Sequence, residues 1–135
     1  MKKFILAIIV VLSLAACGGG AGQSGRYQGS VVLINGSVDF PADAPAYADF
    51  TISVTNQGGS YINNLPTEIR VEGALANGAA YSITNTVDYL AAGQTWTHIT
   101  RVPLSRIVPG AHLVQWMVWD GLFAAALKEE TVDFR

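Results

Sequence analysis

The clearest signal in the chain is a strict alternation over residues 47–55. Ala48, Phe50, Ile52 and Val54 fall on one face, and Tyr47, Asp49, Thr51, Ser53 and Thr55 on the other. A period of two with one apolar face predicts a strand buried on one side and wet on the other. Thr67, Ile69 and Val71, set against Glu68, Arg70 and Glu72, repeat the pattern. Turn chemistry separates such runs at residues 56–60, at Asn77-Gly78 and at residues 90–94. Upstream, residues 30–34 and 38–40 are apolar and flank Asn35-Gly36, a hairpin or bulge signal. Pro41 and Pro45 then break the pattern into a loop or edge segment. Residues 81–84 begin a short strand, and residues 95–102 form a β-rich run that ends at Pro103. After Pro109-Gly110, residues 111–119 are almost continuously apolar, as a central strand covered on both faces would be. Residues 131–134 read as a last strand. Residues 122–130 alone look helical, yet about nine residues cannot hold a helix by propensity. That stretch is read as a loop, a helical turn or part of the last strand. About seven strands spaced by Gly, Pro and Asn turns predict an all-β fold, a single antiparallel β-sandwich.

The first residues follow a different rule. Lys2 and Lys3 precede an apolar run over residues 4–14. The run is shorter than the roughly 20 residues a membrane-spanning helix needs, and suits the core of a secretory signal. It ends in Leu14-Ala15-Ala16-Cys17, which contains the only cysteine of the chain. This tetrapeptide resembles the lipobox of bacterial lipoproteins. The resemblance implies cleavage between Ala16 and Cys17, with the Cys17 thiol carrying a diacylglycerol and its new amino group an acyl chain. No other cofactor is implied. Each buried lipid methylene contributes about 0.8 kcal/mol, so two or more chains give a stable anchor without a transmembrane segment. Residues 1–16 are then the signal, residues 17–26 the lipidated cysteine with its glycine-rich tether, and residues 27–135 the domain. A tether of this composition reaches about 15 Å. Gly18 after the cysteine, where an aspartate would signal retention, implies an outer-membrane or cell-surface address in a host with two membranes, with the periplasmic face as the variant.

A second likeness covers residues 47–121. Residues 50–58 (Phe-Thr-Ile-Ser-Val-Thr-Asn-Gln-Gly) resemble the V-x-V-x-N-x-G strand of bacterial CARDB-type adhesion domains. Residues 90–95 resemble their L-x-x-G-x-T turn, and Pro109-Gly110 with residues 114–120 their P-G…V-D strand. The likeness implies an immunoglobulin-like sandwich that serves as a spacer or for binding. The acidic stretch and paired asparagines that usually close the family pattern are missing from residues 122–135.

Composition narrows the chemistry. The formal net charge is −2, and removal of Lys2 and Lys3 with the signal makes the domain more acidic still, which argues against a nucleic-acid partner. His98 and His112, the two histidines, stand alone without metal-ligand spacing, so no metal site is expected. No Gly-x-Ser-x-Gly turn or other nucleophile setting occurs, and no catalytic residue is assigned. Trp116 and Trp119, three positions apart, must point to opposite faces of a strand, so one is core and the other exposed or covered. Trp96 shares a face with His98 on the preceding strand. Trp96 and Trp119 are the candidate contacts for a ligand or partner, against the plainer reading of both as core. The expectation is a non-catalytic, membrane-anchored module for adhesion or protein–protein interaction in the cell envelope. A carbohydrate-binding module near the cell wall is the alternative, and a small envelope hydrolase is the third reading.

Overall fold

Ala48, Phe50, Ile52 and Val54 are all fully buried, as their alternation requires, along strand β2 (Tyr47–Asn56). In the computed structural model, which describes residues 32–120 and 123–135, β2 lies between β1 (Val32–Asp39) and β5 (Thr95–Pro103). The facing sheet has the order β4 (Tyr81–Leu90), β3 (Ile62–Val71), β6 (Gly110–Asp120) and β7 (Phe123–Phe134). All pairings are antiparallel, and the chain changes sheets between β2 and β3, β4 and β5, and β5 and β6. This is a seven-stranded antiparallel β-sandwich, the fold the strand pattern predicts, and its two sheets agree with the immunoglobulin-like form that the CARDB likeness implies.

The core lies between the sheets. Phe50, Ile52 and Val54 from β2 meet Ile69 and Val71 from β3 and Val114, Trp116 and Val118 from β6. At one end Phe134 closes the layer, stacked on Phe50 with centroids 6.0 Å apart and edge-on to Phe40 at 5.7 Å. At the other end buried Asn56 fastens two connections. Its amide donates to the carbonyls of Ser60 and Leu90, and its side-chain oxygen accepts from the N–H of Gly58. Its backbone pairs with Gln94 and Gly93 of the β4–β5 turn, where Gly93 supplies the positive φ.

One reading is corrected. Asn35-Gly36 makes no hairpin: β1 runs through it, and Gly36 is buried mid-strand opposite Ile52. The glycine is there for a close approach, because the indole of Trp116 fills the place where its β-carbon would be. Of the three readings open for the stretch after Leu122, part of the last strand is the one the structure takes. Residues 123–134 form one twelve-residue strand, β7, paired along β6 with a bulge beside Val118 and Trp119. Pairing to β6 supplies hydrogen bonds that a nine-residue helix could not secure alone.

β3 is longer than its alternation suggests. Asn64 adopts a left-handed φ of 48°. Ile62 and Leu65, three residues apart, consequently both point inward. Pro66 sits one position beyond the last β3–β6 pair, Thr67↔Val118, where its missing N–H is not called upon.

Candidate functional site

The outer face of the four-stranded sheet can be built row by row from the register. Thr84, Glu68, Met117 and Leu127 form one row, and Ser82, Arg70, Gln115 and Glu129 the next. A carboxylate in the middle of a sheet face is expected to be wet. Glu68 is only 8% exposed, and burying a charge is costly unless it is hydrogen-bonded. Three donors supply this. Ser82 Oγ and Arg70 Nε reach Oε1 at 2.8 and 3.0 Å, and Trp119 Nε1 reaches Oε2 at 3.0 Å. Arg70 Nε also lies 4.0 Å from Glu72.

The consequence falls on Trp119. Its polar edge is tied down to Glu68, so the indole is held in one orientation while remaining partly exposed. Beside it opens a cleft of about 310 Å³, with Pro66 and Glu68 along β3 and Thr84 and Thr86 along β4. No Lys or Arg is among the described residues that line it.

The other candidates are placed elsewhere. Trp96 lies on β5, half-buried against the core, with its ring parallel to that of His98 at 5.7 Å. The structure does not bring Trp96 and Trp119 together: they belong to different sheets, one packed toward the interior and one on an outer face. Trp116 is the core tryptophan, donating to the carbonyl of Thr51 in the facing sheet at 2.9 Å. His112 is held at both nitrogens, with the carbonyls of Glu72 and Val108 at 2.8 and 2.7 Å. Among the described residues no group of three His, Cys, Asp or Glu gathers as a metal site. Leu14, Ala15, Ala16 and Cys17 lie outside the described residues.

Sequence reasoning missed Glu68, Ser82, Thr84 and Thr86 as members of this site. Glu68 alternates outward exactly as Glu72 does, and no local signal distinguishes the two. What separates them is Trp119, fifty-one residues away, which only the register brings within reach.

The outer face of the other sheet is simpler. Thr55 pairs with Thr95 and Ser53 with Thr97 through hydroxyl contacts of 2.7 and 2.9 Å. Arg101 grips Asp49 with two bonds of 2.7 and 2.8 Å, and these hold the Asp49 carboxyl below its ordinary range.

No family model matches the chain, and no curated protein matches it. Solved structures do. A β-glucuronidase of glycoside hydrolase family 2 shares 13% identity, with a TM-score of 0.50 over 76% of this chain and 11% of that one. The β-glucosidase DesR from Streptomyces venezuelae, solved with D-glucose, shares 16% identity, with a TM-score of 0.52 over 77% of this chain and 15% of that one. This chain therefore spans a small part of the proteins it is similar to, and at these identities the likeness is one of fold.

Proposed function

We propose that this chain is a non-catalytic, lipid-anchored module of the bacterial cell envelope that acts in adhesion or protein–protein interaction through the outer face of its four-stranded sheet. One observation carries the binding part of this reading: an indole fixed by Glu68 and left partly exposed beside an open cleft. A surface aromatic whose orientation is set before contact loses little entropy on binding. A catalytic role is less well supported by the same geometry. The Glu68 carboxylate is engaged by a guanidinium, a hydroxyl and an indole, an arrangement that positions a side chain rather than one that moves a proton.

The anchoring part rests on Leu14-Ala15-Ala16-Cys17 and the glycine-rich residues after it. Acylation of Cys17 would hold the domain within reach of the membrane surface, at an outer-membrane or cell-surface location. A second reading, saccharide binding, is favoured by the hydroxyl-lined wall of the cleft.

Crosslinking in intact envelopes, comparing the native chain with Cys17→Ser, tests the reading. A stoichiometric neighbour that is lost in the variant supports a tethered module. Identical crosslinks and identical fractionation for both chains would refute the anchor.

A further inference from the structure

The cleft beside Trp119 combines surfaces of different kinds. On one side is the indole of Trp119, and Pro66 of the neighbouring strand also lines the cleft. On the other side stand Thr84 and Thr86, whose hydroxyls make no hydrogen bond to another described side chain or backbone group. The Trp119 N–H is already spent on Glu68, so what the indole offers a ligand is its flat, apolar face.

A rigid aromatic plate opposite hydroxyls suits a ligand with an apolar C–H face and a hydroxylated rim, which describes a pyranose ring. Among the described residues that line the cleft there is no Lys or Arg, and the one charged group, the Glu68 carboxylate, is an anion already paired with Arg70, so the lining favours a neutral sugar over an anionic one.

A second aromatic surface lies on the same sheet. Tyr61 and Tyr89 stack with centroids 5.5 Å apart and planes 24° apart, and both are exposed. Ile62 and Leu90 beside them point inward, so the alternation sends the two tyrosines outward. Tyr89 follows Thr86 by three positions, roughly 10 Å along the strand. Two aromatic surfaces on one sheet, with the threonines of β4 between them, suit a chain of sugars better than a single one.

The geometry points to a groove for a neutral oligosaccharide, running along the outer face of β3 and β4 from Trp119 to the Tyr61–Tyr89 pair. It rests on the binding-module reading and names the ligand class of the same face. Trp119 and the tyrosines stack on successive rings, Thr84 and Thr86 exchange hydrogen bonds with ring hydroxyls, and Glu68 is a positioning residue that fixes Trp119.

Titration calorimetry on the full chain in detergent micelles tests it, with hexasaccharides of β-1,4-linked glucose, β-1,4-linked N-acetylglucosamine and α-1,4-linked glucose as probes. At least one of the three binds. Trp119→Ala weakens that binding at least about tenfold, the scale of one lost aromatic contact. The double variant Thr84→Ala/Thr86→Ala weakens it while Trp96→Ala leaves it unchanged. Trp119→Phe, which keeps a flat ring but lacks the N–H that Glu68 holds, retains more affinity than Trp119→Ala and guards against a folding defect in the alanine variant. The assignment is overturned if the native chain binds none of the probes at about 1 mM, or if Trp96→Ala is as damaging as Trp119→Ala. Should no sugar bind while Cys17-dependent protein crosslinks persist, the saccharide assignment fails and the module reading stands.

Discussion

The indole of Trp116 occupies the space into which a β-carbon on Gly36 would project. The two residues belong to different sheets, so this contact sets how closely β1 and β6 approach. Lys128 of β7 then covers the pair, its ammonium 4.9 Å from the indole centroid and donating to the carbonyl of Gly36. The side of the sandwich where β1 and β7 end their sheets is thereby closed by a ring and a cation.

Gly36→Ala should therefore destabilise the domain by about 3 kcal/mol, the upper range for forcing a methyl group into a packed core. Trp116→Phe should cost about 2 kcal/mol by leaving the Thr51 carbonyl without its indole donor and opening a small gap. Because the smaller ring makes room for the methyl group, the double variant should be less damaged than the sum of the two. Urea denaturation of the three variants checks this, and strict additivity would count against the contact.

Asn56 offers a second stability test. It is fully buried, and its side chain both donates and accepts. Asn56→Asp keeps the shape but turns a carboxylate oxygen toward the carbonyls of Ser60 and Leu90. A loss of about 3 kcal/mol is expected at neutral pH. The loss should shrink in acid, where a protonated carboxyl can donate one bond again, and melting curves at two pH values would show it.

The Asp49–Arg101 pair predicts a pH dependence with a definite sign. Hydrogen bonds from Arg101, reinforced by its charge, lower the carboxyl below its unfolded value near 3.9. As the pH falls the unfolded chain takes up the proton first. The pair's contribution is therefore complete above about pH 4 and disappears as the pH drops through the folded value. Asp49→Asn should lower the melting temperature slightly at neutral pH and not at all in strong acid. Salt should reduce the difference, since the pair lies at the surface.

Glu68 is expected to act on Trp119 more than on the fold. Glu68→Gln keeps an oxygen for the indole N–H but gives up the charge that Arg70 and Ser82 serve. Glu68→Ala removes the acceptor altogether and releases the ring. With 5-fluorotryptophan labels, the Trp119 signal should stay sharp in the glutamine variant and move toward a solvent-averaged position in the alanine one. Equal signals in both would mean that Glu68 does not fix the indole.

Much of the fold could be read from the chain because one sheet face is buried and the other wet. Ala48, Phe50, Ile52 and Val54 announce β2 through that contrast alone, whereas the nearly continuous apolar run of β6 predicts cover on both faces and the structure covers only the inner one fully, leaving Leu113, Gln115 and Trp119 at least partly exposed. The failures occur where a local signal has a non-local cause. Gly36 looks like a turn residue until Trp116, eighty positions later, is seen to need its space. Residues 123–130 stay open between loop, helical turn and strand because Ala, Leu, Lys and Glu favour helices, and pairing with β6 decides for the strand. At the site, Trp119 was visible as a candidate because it opposes Trp116 in the alternation. Glu68 was not, since only strand register places it under the indole.

The most direct test of the account is face-resolved photocrosslinking in intact envelopes. A photoreactive amino acid is placed at Thr84 on the outer face of the four-stranded sheet, or at Ser53 on the outer face of the other sheet. Adducts from position 84 and none from position 53 are predicted. Adducts from position 53 alone, or from neither, would contradict the account.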